Sequence, residues 1–202
     1  MLSIHQVEII AQNSVSETES VTTTDLKTYR MNHTMIRVKS QEVSLKFYQE
    51  VLGMTLQRVS ENKEANFNLY FLGYGAPSSE KSANGVNPTA SREGLLELTW
   101  NYGTEKEEGK VYHDGNSEPQ GFGHICVSVD NLDEACKRFE SKGVEWKKRL
   151  TDGRMKNVAF VLGMLHTRSN SRVIVLTSVA DPDGYWIEVI QNEKYGPPPG
   201  QY

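Results

Sequence analysis

The sequence predicts an α+β protein assembled from two βαβββ modules. Three observations carry this: a block of sequence used twice, an amphipathic helix inside each copy, and four ionisable residues placed in otherwise apolar strand-like runs. The first block reads NHTMIRVKSQEVSLKFYQEVLGMTL from Asn32 and the second GHICVSVDNLDEACKRFESKGVEW from Gly123. Each opens on a small or polar residue and a His, runs through a strand (Thr34 to Val38; Ile125 to Val129) and continues into a helix.

The helices are read from their apolar spacing. Val43, Phe47 and Val51, with Leu45 and Tyr48, make one face of the first, and Leu132, Ala135, Cys136 and Phe139 make one face of the second. Gly53 and Gly143 follow them, as glycine commonly follows a helix, because it adopts the left-handed backbone of the cap without a Cβ clash. Further strand-like runs come after each helix: NFNLYFLGY and GLLELTW in the first half, NVAFV and YWIEVI in the second. Two such modules side by side are expected to form curved antiparallel sheets around a cleft.

The expected organisation is a loose N-terminal extension (1–30), a first module (31–102), a linking loop (103–120), a second module (121–194) and a Pro-rich tail (195–202). The second module carries an atypical insertion at about 162–180, whose VIVLTSV run reads as an extra hairpin or an exposed sticky strand. Codons for Gly163-Met164, Leu176-Thr177 and Val179-Ala180 permit splice-site and branch-point sequences, so a short intron read through in frame is a second origin for the segment.

Composition narrows the function. Of 202 residues 37% are hydrophobic and 24% charged, with 26 acidic against 22 basic side chains, so the chain is globular and mildly acidic. Nucleic acid and anionic membrane surfaces are not expected partners. Cys126 and Cys136 form no CxxC pair and read as reduced, mostly buried small side chains, which fits a reducing compartment. Residues 1–20 hold Glu8, Glu17 and Glu19 with no Lys or Arg and no long apolar run, so a cytoplasmic protein is expected.

The chemistry is expected at His33, Glu97, His124 and Glu188. Each interrupts an apolar strand, and a carboxylate flanked by Leu96 and Leu98, or by Ile187 and Val189, points away from its neighbours. Such a carboxylate on a sheet concavity must be solvated, paired or bound to a metal. Singly, each is a hydrogen-bonded or water-facing strand residue. Together, one His and one Glu per module at equivalent strands form a mixed N/O donor set suited to zinc, nickel, iron or manganese. His5, His113 and His166 do not share that context.

The runs NHTMIRVK, SLKFYQEVLGM, NLYFLGY, LELTWNYGTE, GNSEPQGFGHICVSV, CKRFESKGV, DGRMKNVAFV and DPDGYWIEVI resemble the eukaryotic glyoxalase I family of the vicinal oxygen chelate superfamily, over nearly all of residues 31–194. The resemblance implies a homodimeric lactoylglutathione lyase with metal ligands from both chains, acting on the glutathione hemithioacetal of methylglyoxal. Residues alone leave open whether the site lies in one chain or between two. It also implies metal ligation by His33, Glu97, His124 and Glu188, with Zn2+ as the metal and Ni2+ as the alternative. Glu188 is the implied catalytic base, with Glu97 acting from the opposite face, and the substrate contacts fall at Arg37, Asn101, His124, Arg154 and Met155. Some relatives have Arg where Gln120 stands, and Lys156 is the alternative cation for a glutathione carboxylate. In the reaction a proton leaves one carbon and returns to its neighbour through an anionic enediolate, which a Lewis acid stabilises.

Two other readings fit parts of the pattern. An extradiol-type dioxygenase would use His33, His124 and Glu188 as a two-His-one-carboxylate triad, but Glu97 would occupy a position its substrates need. A metal-free drug-sequestering protein has no use for four aligned ligand-type residues.

Overall fold

The structure, a computed structural model, describes residues 24–77, 87–148, 158–162 and 181–192. The chain divides into two compact units, residues 1–31 and 32–202. In the first, the described residues hold one short 3-10 turn, Leu26–Thr28, capped by Asp25, whose side chain accepts from the Lys27 N–H at 3.0 Å.

The second unit contains two sheets of identical topology. Strands β1 (His33–Val38), β2 (Thr55–Asn62), β3 (Phe67–Gly73) and β4 (Leu95–Asn101) form the first, in the order β1-β4-β3-β2. Strands β5 (His124–Val129), β6 (Glu145–Lys148), β7 (Val158–Leu162) and β8 (Trp186–Gln191) form the second, in the order β5-β8-β7-β6. The βαβββ reading describes both. Each sheet is mixed, however: β1 with β4 and β5 with β8 run parallel, and only the remaining ladders are antiparallel. The helix and the two strands that follow it form the crossover that makes a parallel pair possible, a long-range consequence that strand periodicity does not carry.

Helix α1 (Gln41–Lys46) starts at Ser40, whose hydroxyl accepts from the Val43 N–H, and continues as a π-helical turn over Phe47–Val51. Its buried face is Ser44, Phe47, Tyr48 and Val51, a spacing of three, one and three. Val43, expected on that face, is 44% exposed. Ser44 takes the inward position because a buried carboxylate, Asp183, is there to accept from its hydroxyl at 3.0 Å. Helix α2 (Leu132–Ser141) buries Leu132 and Phe139 with Ala135 and Cys136 packed beside them, the expected face, and is capped by Asn131. Gly53 and Gly143 take φ of 74° and 71°, the left-handed conformation expected after each helix.

Strand alternation sorts the side chains. Ile36, Val38, Leu72, Leu96 and Leu98 turn inward onto the α1 side, and Val127, Ile187 and Val189 join them from the second module in one apolar cluster. Burying each of these stabilises the fold by about 1.5–3 kcal/mol. On the opposite faces the edge strands leave His33, Arg37 and His124 exposed, while Phe71, Leu95, Glu97 and Thr99 at the centre of the first sheet are buried.

A polar lock joins the modules. Asp181, fully buried at the turn before β8, accepts from Tyr48 Oη at 2.7 Å and from the N–H groups of Asp183 and Tyr185 at 3.0 and 2.9 Å. Asp183 accepts from the Lys39 N–H at 2.7 Å as well as from Ser44. Arg138 of α2 donates to the carbonyls of Val51 and Glu50.

The atypical insertion beyond Leu162 lies outside the described residues, as do the Pro-rich tail and the N-terminal residues 1–23. Its flanks are set without it. Val161 pairs with Ile187, and residues Asp181–Tyr185 close their own turn through an Asp181 N–H to Tyr185 carbonyl bond of 2.9 Å. Joining Leu162 to Ala180 shortens the loop, which relieves about 1 kcal/mol of closure entropy and removes an aggregation-prone run. A chain lacking residues 163–179 is therefore expected to show a higher soluble yield and a higher Tm. Equal values for both chains would mark the segment as a tolerated loop.

Candidate functional site

Each sheet places a histidine and a glutamate on its accessible face in the same relation. His33 is in register with Leu95, and Glu97 stands two residues further along β4; His124 is in register with Trp186, and Glu188 stands two residues further along β8. Side chains two apart on a strand share a face, so each diagonal brings imidazole and carboxylate together. The distance from His33 Nε2 to Glu97 Oε2 is 3.1 Å, and from His124 Nε2 to Glu188 Oε2 it is again 3.1 Å.

The carboxylates are the more enclosed partners. Glu97 and Glu188 side chains are 11% and 21% exposed, against 39% and 42% for His33 and His124, so the anions depend on compensation from within the site. Glu97 accepts from the Thr99 hydroxyl at 3.2 Å, and the His33 ring meets Phe71 edge-on with centroids 5.5 Å apart. His124 is delivered by a closely packed loop. A Cβ on Gly115 would fall 2.1 Å from the Phe122 carbonyl oxygen, and Asn116 donates to the Gly123 carbonyl at 2.7 Å. Phe122 then packs edge-on against Tyr185 at the root of β8.

The donor pairs suit a metal ion. Two N/O ligands each about 2.0–2.2 Å from one cation lie roughly 3 Å apart when adjacent in its coordination shell, the separation seen in both pairs. Among the described residues of one chain, though, no group of three or more His, Cys, Asp or Glu is placed to hold a metal ion. The structure brings the four expected ligands together as two separate His–Glu pairs.

Further along the first sheet, Arg37 donates to Asn101 Oδ1 at 2.6 Å, and the Tyr112 hydroxyl reaches the same oxygen at 3.4 Å. Arg37 lies four residues along β1 from His33, roughly 13 Å at the strand rise. Arg154, Met155 and Lys156 lie outside the described residues, and Gln120 is exposed in the loop before His124.

Cys126 corrects an expectation. It is exposed, not buried, because its alternation follows His124 onto the accessible face, in register with Glu188. Partial desolvation of its sulfur, followed by a hydrogen bond to the Glu188 carboxylate, pushes the thiol up to about 11, so it stays protonated as a donor to that carboxylate. Thr99, Phe71 and Cys126 were not singled out as site residues, although counting by two from Glu97 and His124 reaches Thr99 and Cys126. A cleft of about 420 Å³ between the β1/β4 end of the first module and β5 is lined by Thr34, Leu95, Phe122 and His124; His33 and Glu97 do not line it.

Paired βαβββ modules, each carrying a His–Glu pair on equivalent strands, define the class of fold to which this chain belongs. Residues 30–189 match the family described as the Glyoxalase/Bleomycin resistance protein/Dioxygenase superfamily, and the chain belongs to it. It is 48% identical over 176 residues to a lactoylglutathione lyase of Schizosaccharomyces pombe, covering 87% of this chain and 51% of that protein. It is 46% identical over 164 residues to a glyoxalase I of Saccharomyces cerevisiae, covering 80% and 43%. The chain therefore spans about half the length of these two curated relatives. A lactoylglutathione lyase of Pseudomonas putida is 45% identical over 162 residues, covering 79% of this chain and 83% of that one. Among solved structures, the trypanothione-dependent glyoxalase I of Leishmania major matches with a TM-score of 0.54 and 31% identity, over 81% of this chain and 86% of that one.

Proposed function

We propose that this protein is a lactoylglutathione lyase, a glyoxalase I, which converts the hemithioacetal of methylglyoxal and glutathione into S-lactoylglutathione. The observation that carries the reading is the repeated His–Glu diagonal, two N/O pairs of equal separation on equivalent strands. Identity of 44–48% to proteins named lactoylglutathione lyase or glyoxalase I supports it. His33, Glu97, His124 and Glu188 would hold a divalent ion, zinc in the first place and nickel as the alternative. When bound, that ion supplies Lewis-acid polarisation of the two adjacent substrate oxygens.

The chain's own groups do the rest. Glu188 accepts the proton from the carbon that bears sulfur and hydroxyl and the neighbouring carbonyl carbon receives it, while the hydroxyl proton passes to the former carbonyl oxygen, so that C–OH becomes the thioester C=O, C=O becomes C–OH, and the atoms balance without a co-reactant. Glu97 takes part from the opposite face. Arg37 and Asn101 hold the glutathione portion, with Arg154 and Met155 as further contacts, and that remote binding aligns the reacting carbons. The two half-sites of one chain are completed by those of a second copy, giving a homodimer with ligands from both chains. No helix among the described residues is long and apolar enough to cross a membrane, and neither Cys126 nor Cys136 is in a disulfide, which supports the reading of a reducing compartment such as the cytoplasm.

The direct test is metal analysis joined to turnover. Purified protein is expected to carry one zinc or nickel ion per chain, to lose hemithioacetal turnover on chelation and to regain it on addition of either metal. Full activity after exhaustive chelation, or ferrous iron with cleavage of a catechol, would overturn the proposal.

A further inference from the structure

We propose that Asn32 is a positioning residue that fixes the tautomer and orientation of His33, presenting its Nε2 lone pair to the metal. The inference rests on the metal reading above and adds a residue to it. Asn32 precedes β1, and its side-chain nitrogen donates to three backbone carbonyls, those of Thr89 and Arg92 at 2.8 Å and of Ala90 at 3.2 Å. Three acceptors around one end identify that end as the NH2 group, so the other end is the oxygen. That oxygen lies 2.7 Å from His33 Nδ1. An amide oxygen only accepts, hence Nδ1 carries the hydrogen and a neutral ring holds its lone pair on Nε2.

The consequence falls on Glu97. Nε2 lies 3.1 Å from Glu97 Oε2, so in this neutral tautomer both atoms turn electron pairs toward one point, the arrangement that a bound metal ion would satisfy. The anchor is itself held in place. The Leu95 N–H donates to the Asn32 carbonyl at 2.9 Å, tying residue 32 to the strand that carries Glu97, and the 3-10 turn at Pro88–Ser91 that supplies two of the acceptors is capped by Asn87. At the matching place before His124 stands Gly123, which has no side chain to do this. An amide supplied by the preceding residue is thus particular to the first module.

The experiment compares wild type with Asn32→Ala and Asn32→Asp. In the metal-free protein, the 15N shifts of the His33 ring are expected to report hydrogen on Nδ1, in Asn32→Ala a mixture of tautomers, and in Asn32→Asp, which keeps an acceptor, hydrogen on Nδ1 again. Zinc affinity, measured by competition with a chromophoric chelator, is expected to fall about 10- to 100-fold in Asn32→Ala. The His124 ring signals should be unchanged in all three, which separates loss of the anchor from loss of the fold. Unaltered His33 tautomer with zinc affinity within twofold in Asn32→Ala overturns the proposal. A wild-type protein that binds no zinc defeats the metal reading instead.

Discussion

Glu188→Gln is expected to lower kcat by about 100- to 10,000-fold, the contribution usual for a positioned general base, while an S-alkylglutathione binds as tightly as before. Glutamine keeps the shape of the side chain and one carbonyl oxygen, so the position opposite His124 Nε2 is still filled. What it loses is the ability to take a proton from carbon. Arg37 and Asn101, joined to each other on the first sheet, are untouched, so binding of the glutathione portion is preserved. Steady-state kinetics with metal content measured alongside separate the two roles of the carboxylate. Turnover within tenfold of wild type at full metal loading would remove Glu188 as the base.

The second large effect concerns the fold. Asp181→Ala is expected to destabilise the protein by on the order of 3 kcal/mol, because it leaves the Tyr48 hydroxyl and the N–H groups of Asp183 and Tyr185 buried without an acceptor. For a chain of this size that is a fall in Tm of roughly 6–12 °C. The same carboxyl makes stability depend on pH. Burial, reinforced by Asp183, pushes Asp181 up to about 7 from 3.8, despite the three donors that favour its anion. The native state thus keeps a proton that the unfolded chain releases, so this contribution is full below about pH 4 and is lost as pH rises through about 7. Thermal melts between pH 4 and 8 should show wild type losing stability relative to Asp181→Asn across that interval. A constant difference between the two would refute the linkage.

The repeat made the fold legible, since each copy carries its own helix period and its own glycine stop. The parallel ladders were not legible, because strand direction within a sheet is decided by the crossover and not by alternation along any one strand. The βαβββ pattern counts β2 and β6, but no apolar run marks their residues, since stretches such as LQRVSEN are polar and sit at sheet edges, where little apolar signal is needed. Val43 and Ser44 exchanged places for a reason that lies 139 residues away, at Asp183. For the site, the four ionisable strand residues stood out by chemical contrast with their neighbours, and counting by two would have added Cys126. Asn32 could not be read in this way. Its role depends on three carbonyls of a turn 57 to 60 residues distant, and only folding brings them together.

Complementation tests the central claim, that the two His–Glu half-sites unite across two chains into one catalytic metal site. One chain carries His33→Ala and Glu97→Ala, the other His124→Ala and Glu188→Ala, and each alone is expected to be inactive. Coexpressed with different affinity tags and purified through both, the hybrid dimer pairs the intact first module of one chain with the intact second module of the other. It is predicted to regain about half of wild-type turnover with about one zinc per dimer, since one of its two sites is whole. A verified hybrid as inactive and metal-free as its parents would contradict the account.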